Sequence, residues 1–288
     1  MADRRGSVLV GVDGSDEGYA AARWAADEAR RLGTGLNIVH AWLWPLFKVD
    51  LGPPPMAPGA GLQAQAEGIL ANAAEEARDI AAQLPVETSL VTGAAAPQLV
   101  RHAANAQLLV VGNRGLGGFT GLLLGSVGVE VSEHAPCPVV VVRGSATPGG
   151  PVVVGVDETD ASQAAVVTAF DEASRRGVNV VVMHAWSTPL RSEGGGPVGY
   201  EEMAVAGRRA GQDLLEKAAS NASHMHPDVI YHLQLVDRSA AAELVTASAS
   251  AQLVVVGSRG VGAMRGLLLG STAHALIHHS ACPVLVQR

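Results

Sequence analysis

The pattern of apolar and polar positions along the 288 residues is short apolar runs alternating with longer helical stretches. Ser7 to Val12 is a continuous apolar run, of the kind that suits a parallel strand covered on both faces. Asp13-Gly14-Ser15-Asp16 breaks it with turn and N-cap residues. Asp16 to Leu32 then reads as a helix with Ala20, Trp24 and Ala25 or Ala29 on its apolar stripe, Arg30-Arg31 in its last turn and Gly33 as its stop. A second strand is expected over 36–41 and a long Ala- and Glu-rich helix over 62–84, ended by Pro85. A third strand is expected over 86–92, a helix opened by Pro97 and running to about Ala104, a fourth strand over 108–111, a helix from about Gly125 to His134 and a fifth strand over 139–142. The stretch 42–61, rich in Pro and Gly, cannot be regular structure throughout and reads as an excursion over the surface or across the cleft, and 192–200 replaces it further along.

The series then restarts. Residues 106–143 align with 251–288 without a gap, and 21 of the 38 positions are identical. Upstream, Gly11-Val12-Asp13 recurs as Gly155-Val156-Asp157, and His40-Ala41-Trp42 as His184-Ala185-Trp186. Two copies, each long enough to bury its own core, imply two domains rather than a solenoid. The expected boundaries are 1–143 and 151–288, with Gly-rich 144–150 as a linker. Further strands are expected at about 152–156, 179–184, 229–236, 253–256 and 284–287. Alternating strands and helices imply an α/β fold: two tandem doubly wound domains, each a five-stranded parallel sheet with helices on both faces. In such folds ligands sit beyond the carboxyl ends of the strands, where strand order reverses.

Composition narrows the chemistry. A net charge of −7 gives no support to nucleic-acid binding by bulk electrostatics. No apolar run reaches membrane-spanning length, and the start is too soon charged for a signal peptide, so a cytoplasmic protein without membrane or nucleic-acid partners is expected. Cys137 and Cys282 occupy equivalent positions and read as packed thiols. His40 and His184, closing buried strands, read as structural; His224, His226 and the pair His278-His279 lack ligand spacing for a metal. Trp42 and Trp44 read as loop packing rather than a partner surface.

The candidate chemistry lies in Gly112-Asn113-Arg114-Gly115, nine residues, then Gly125-Ser126, repeated as Gly257-Ser258-Arg259-Gly260, nine residues, then Gly270-Ser271. A strand running into a glycine loop and then a helix start is a general way to hold phosphate. Gly112 and Gly115 are read as permitting positive φ and close backbone approach. Asp13 and Asp157 lie just past the first strand of each copy, and a carboxylate there repels phosphate oxygens and accepts from hydroxyls. There is no Gly-x4-Gly-Lys-Ser/Thr loop, and the two lysines, Lys48 and Lys217, lie outside the glycine loops, so no strong clamp for fast phosphoryl transfer is expected.

Val-Gly-Val-Asp-Gly-Ser near the start, His-Ala at the end of the second strand, and Gly-x2-Gly-x9-Gly-Ser before a Cys-Pro-Val strand resemble the universal stress protein family, in its tandem, ATP-binding branch. The resemblance covers nearly the whole chain and is weakest over 43–65 and 187–205. It implies strand order 3-2-1-4-5. It also implies an adenine and ribose end at Val12, Asp13 and Ala41, phosphate contacts at Gly112, Arg114 and Gly115, and a phosphate-holding helix start at Gly125, Ser126 and Val127. The matching positions are Val156, Asp157, Ala185, Gly257, Arg259, Gly260, Gly270, Ser271 and Thr272. The implied cofactor is ATP, with or without Mg2+, and the implied role is a nucleotide-dependent regulator or sensor in stress or dormancy with at most slow hydrolysis. Two alternatives remain at this level: a slow ATPase or nucleotidyl-transferring enzyme on the same fold, and a protein-interaction module with a vestigial site. The last strand of each copy is an edge in the assumed order, so pairing of these edges and a homodimer are expected, and the implied regulatory role calls for a protein partner that the sequence does not name.

Overall fold

The computed structural model describes residues 6–42, 60–115, 125–186, 200–261 and 268–288. The expected loop excursions at 43–59 and 192–199, with Trp44, lie outside them. The chain forms two units, Met1–Val142 and Arg143–Arg288.

In the first unit the elements are β1 (Val8–Gly11), α1 (Asp16–Leu32), β2 (Leu36–Trp42), α2 (Ala60–Ile80), β3 (Val86–Thr92), α3 (Ala95–His102), β4 (Leu108–Gly112), α4 (Ser126–His134) and β5 (Val139–Val142). All strand pairs are parallel, in the order β3-β2-β1-β4-β5. In the second unit they are β6 (Val152–Gly155), α5 (Asp160–Arg176), β7 (Val180–Ala185), α6 (Tyr200–Met225), β8 (Tyr231–Val236), α7 (Ala240–Ala247), β9 (Leu253–Gly257), α8 (Ser271–His279) and β10 (Val284–Gln287). Its parallel order, β8-β7-β6-β9-β10, repeats the first. Strand order thus reverses beside β1 and β6, the expected switch points.

The continuous apolar runs are buried as expected: every residue of β5 and the first three of β1, β6 and β10 are core. Helix α1 shows how local chemistry sets its ends. Ser15 caps it by accepting from the Gly18 N–H, and Gly33, at φ 64°, closes it in the left-handed region that glycine adopts without a Cβ penalty. Its buried stripe is Gly18, Ala21, Ala22, Ala25, Ala26, Glu28 and Ala29 rather than one through Ala20 and Trp24. Small residues let it lie close on the sheet, which bulk at Trp24 would prevent.

Several element boundaries differ from the sequence expectation by a few residues, and two of them involve a proline. Helix α2 ends at Ile80, with a turn closed by the Leu84 N–H to the Ala81 carbonyl. Pro85 drives Leu84 out of the helical region, so the helix stops before it rather than at it. Helix α3 starts at Ala95, which puts Pro97 inside its first turn, and passes into a 3-10 turn over Ala103–Asn105. The Gly-rich stretch 144–150 is held on the second unit, by the Ser145 N–H to Ala281 and the Thr147 N–H to Ala251.

Candidate functional site

The end of the first strand in each unit is built around an aspartate. Asp13 Oδ1 accepts from the Ser15 N–H at 3.1 Å and the Ser15 hydroxyl at 2.6 Å, and Ser15 Oγ accepts from the Gly18 N–H at 3.1 Å. The capping residue of α1 is therefore oriented by Asp13. Asp157 does the same with Thr159, at 3.0 and 2.6 Å, and Thr159 accepts from the Ser162 N–H at 3.3 Å. The other carboxylate oxygen turns to the glycine loop. Asp157 Oδ2 accepts from the Val261 N–H at 3.1 Å, and a Cβ on Gly260 would stand 2.7 Å from it. In the first unit a Cβ on Gly115 would collide with Asp13 Oδ2. Aspartate and glycine loop, about a hundred residues apart in sequence, are thus one packed unit.

The glycine loop is closed by backbone bonds. Asn113 donates its N–H to Val142 at 3.0 Å, and its carbonyl accepts from Gly125 at 2.9 Å; Ser258 does the same with Gln287 and Gly270, at 2.7 and 2.8 Å. None of Gly112, Gly115, Gly125, Gly257, Gly260 or Gly270 has positive φ, which corrects the expectation from sequence. Their requirement for glycine is close approach. A Cβ on Gly112 would lie 2.8 Å from the Glu17 carbonyl oxygen, and one on Gly257 3.0 Å from the Ala161 carbonyl carbon. The first glycine of the loop therefore seats it against the start of α1 or α5. Positive φ falls instead at Gly14, φ 89°, in the turn after Asp13.

Gly125 and Gly270 are the N-caps of α4 and α8, and neither helix has a side-chain cap. The first-turn N–H groups and the positive end of each helix dipole are left for an anion. Arg114 and Arg259 in the loops are exposed, so their charges are solvent-screened.

The histidines closing the second strands are structural. His40 Nδ1 meets the Val12 carbonyl at 2.8 Å, and His184 Nδ1 meets the Val156 carbonyl at 2.8 Å. A carbonyl only accepts, so Nδ1 carries the proton. These bonds have a second effect. Val12 donates to the Val39 carbonyl and Gly93 to the Trp42 carbonyl. Backbone groups alternate sides along a parallel strand. The N–H and C=O of Ala41 therefore share the side of Val39, beyond the point where β1 has ended. Val156 to Met183 and Trp186 to Val236 fix Ala185 in the same way.

All these features border one cavity per unit. The first, about 430 Å³, is lined by Val12, Asp13, Ala41, Gly112, Arg114, Gly115, Gly125, Ser126 and Val127, joined by Gly11, Gly18, Ala95 and Leu99. The second, about 210 Å³, is lined by Val156, Asp157, Ala185, Gly257, Arg259, Gly260, Gly270, Ser271 and Thr272, joined by Leu244. Every candidate residue thus reaches its cavity. The apolar wall, Leu99 and Leu244, was not anticipated; the available signal was Gly11 and Gly155, whose Cβ positions fall 2.7 Å from those leucines. Elsewhere, His226 pairs with Asp171 at 2.8 Å, and His224 Nδ1 is held by the Ser220 carbonyl at 2.6 Å.

The model of the universal stress protein family matches residues 5–143 and again 150–288. A universal stress protein of Mycobacterium tuberculosis is 38% identical over 98% of this chain and 96% of its own length. One of Mycolicibacterium smegmatis is 36% identical, again over 98% and 96%. The crystal structure of a universal stress protein from Archaeoglobus fulgidus shares the fold, with a TM-score of 0.70 at 19% identity over 99% of this chain and 97% of that one. With two matches to the family model, full-length relatives and the repeated 3-2-1-4-5 sheet, the chain belongs to the universal stress protein family and carries two of its domains in tandem.

Proposed function

We propose that each domain binds one ATP in its cavity, and that the protein is a cytoplasmic, nucleotide-dependent regulator in stress or dormancy. One observation carries this reading. A free backbone donor–acceptor edge (Ala41, Ala185), a carboxylate (Asp13, Asp157) and an uncapped helix start (Ser126, Ser271) border the same cavity in both domains. The Ala41 N–H and C=O match the acceptor and donor on the edge of adenine. Asp13 accepts from ribose hydroxyls. The first-turn N–H groups of α4 take phosphate oxygens, with Arg114 as a screened outer charge and Mg2+ arriving on the phosphates. The first cavity falls within the range of small-molecule sites.

The site supports holding rather than rapid turnover. Among the described residues lining the first cavity the charged ones are Asp13 and Arg114, and Asp13 is already engaged by Ser15. Among those described lining residues no further group stands ready as a base for an attacking water. Freshly purified protein, once denatured, should release adenine nucleotide detectable by mass spectrometry, and calorimetry should give two ATP per chain. No released nucleotide together with no heat on ATP addition would sink the proposal. Phosphate release over seconds would favour an enzyme instead.

A further inference from the structure

We propose that the first domain carries a second ligand site, at the opposite end of its sheet from the glycine-loop cavity, for a small oxyanion-bearing molecule. A cavity of about 330 Å³ lies at the amino ends of β1 and β2, lined by Ser7, Leu9, Asn37, Arg101, His102 and Asn105. Asn37 is the anomaly that draws attention to it. β2 is an interior strand, flanked by β1 and β3. Such strands are built of Val, Ile and Leu, and asparagine is disfavoured in them. Its Oδ1 accepts only a long bond, 3.4 Å, from the Ser89 hydroxyl. Among the described residues its amide N–H groups have no hydrogen-bond partner, and Asn37 lines the cavity.

The surrounding groups are positioned. The Gly6 carbonyl accepts from Gln107 at 2.6 Å and Thr34 at 3.1 Å, and Ser7 accepts from the Gln107 N–H at 3.2 Å, so the Ser7 segment is tied down. Arg101 donates to Gln98 Oε1, and Gln98 donates to the Thr92 carbonyl at 2.9 Å. His102 Nδ1 donates to the Gln98 carbonyl at 2.8 Å, leaving Nε2 for other partners. The described lining offers a guanidinium, two amides and a hydroxyl, and no carboxylate. Glu87 stands beside Asn37 in register but does not line the cavity. In a chain of net charge −7, such a donor-rich set is matched to an anion.

The repeat acts as an internal control. By strand register and helix position, Ser7, Asn37, Arg101, His102 and Asn105 correspond to Pro151, Val181, Thr246, Ala247 and Ser250. The second domain forms the same sheet without that constellation. The fold therefore does not require these polar side chains, and the cost of Asn37 in a half-buried interior strand points to a ligand.

The test uses the full chain, isotope-labelled, with ATP present in excess to occupy the glycine-loop cavities. Inorganic phosphate and, separately, malonate are titrated at constant ionic strength while backbone amide shifts are followed. Saturable shifts at Ser7, Asn37, Arg101 and Asn105 are expected for at least one of them. Asn37→Val together with Arg101→Thr, the residues the second domain carries, should weaken that binding at least tenfold. Arg101→Gln alone should weaken it without touching the interior. Shifts that never saturate, shifts confined to Gly112–Gly115 and Gly125–Gly128, or unchanged affinity in the variants would overturn the proposal.

Discussion

Gly112 and Gly115 occupy the same loop but are glycines for different reasons, and substitution separates them. A methyl on Gly112 meets the Glu17 backbone, which cannot move without shifting α1. Gly112→Ala should therefore lower stability by about 1–3 kcal/mol, the usual range for overpacking, read as a shift in urea midpoint at constant slope. A methyl on Gly115 meets the Asp13 carboxylate instead. Gly115→Ala should displace that carboxylate and weaken ATP binding to the first domain about tenfold or more, roughly 1.4 kcal/mol, with a smaller change in stability. Equal losses of affinity and stability in both variants would contradict this division. The cysteines behave differently again. Cys137 and Cys282 are buried and unbridged, and burial pushes the Cys282 thiol up to about 11. Little thiolate exists at neutral pH, so a thiol reagent should label Cys282 only as fast as the protein unfolds. Rapid labelling of native protein would contradict its packing. At this scale the sequence, through its family resemblance, pointed to the polar and glycine lining of the cavity but not to its apolar wall at Leu99 and Leu244. It did not reveal that Asp13 and Gly115 touch, because no local pattern encodes a contact made across the sheet.

Among the elements, α5 carries a buried charge that periodicity did not flag. Glu172 is 3% exposed and pairs with Arg175 at 2.5 Å and Arg176 at 2.9 Å, one turn on. Burial by itself raises the carboxyl, but the guanidinium groups of Arg176 and Arg175 outweigh it and hold the group below its ordinary value of 4.5. A depressed carboxyl contributes stability that is fully present above the unfolded value and is lost as pH falls through the folded one. The native protein should therefore lose stability progressively below pH 4.5, and Glu172→Gln should flatten that part of the curve. Arg176→Met leaves the charge with one partner fewer and should cost about 3 kcal/mol at neutral pH. Thermal melts across pH 3–7 check both, and identical slopes for Glu172→Gln and the parent chain would refute the assignment. Exposed pairs such as Arg30–Asp27 should contribute far less. Element type was legible through most of the described chain, because continuous apolar runs and helical periodicity are local patterns. The end of α2 and the start of α3 were less so, since a proline constrains its neighbour as well as itself.

For the whole molecule, duplication offers a stoichiometric test. Asp13→Asn and Asp157→Asn should each reduce the ATP bound per chain from two to one, and the double variant should bind none, by calorimetry on the full chain. A single variant that abolished both sites would show that the two domains do not bind independently. Among the described residues no helix is long and apolar enough to cross a membrane. By itself the sequence determined that there are two copies, that each alternates strand and helix, and that the repeated aspartate and glycine loops follow the first and fourth strands of each. These are properties of local pattern and internal repetition. The tertiary structure alone decided that Asp13 closes on Gly115, within the strand order that the family resemblance implied. It decided that His40 locks the Val12 carbonyl and leaves the Ala41 edge open. It also decided that Asn37, Arg101 and Asn105 converge at the far end of the first sheet. Each is a contact between residues distant in the chain, set by strand order and register, which no neighbouring residue specifies.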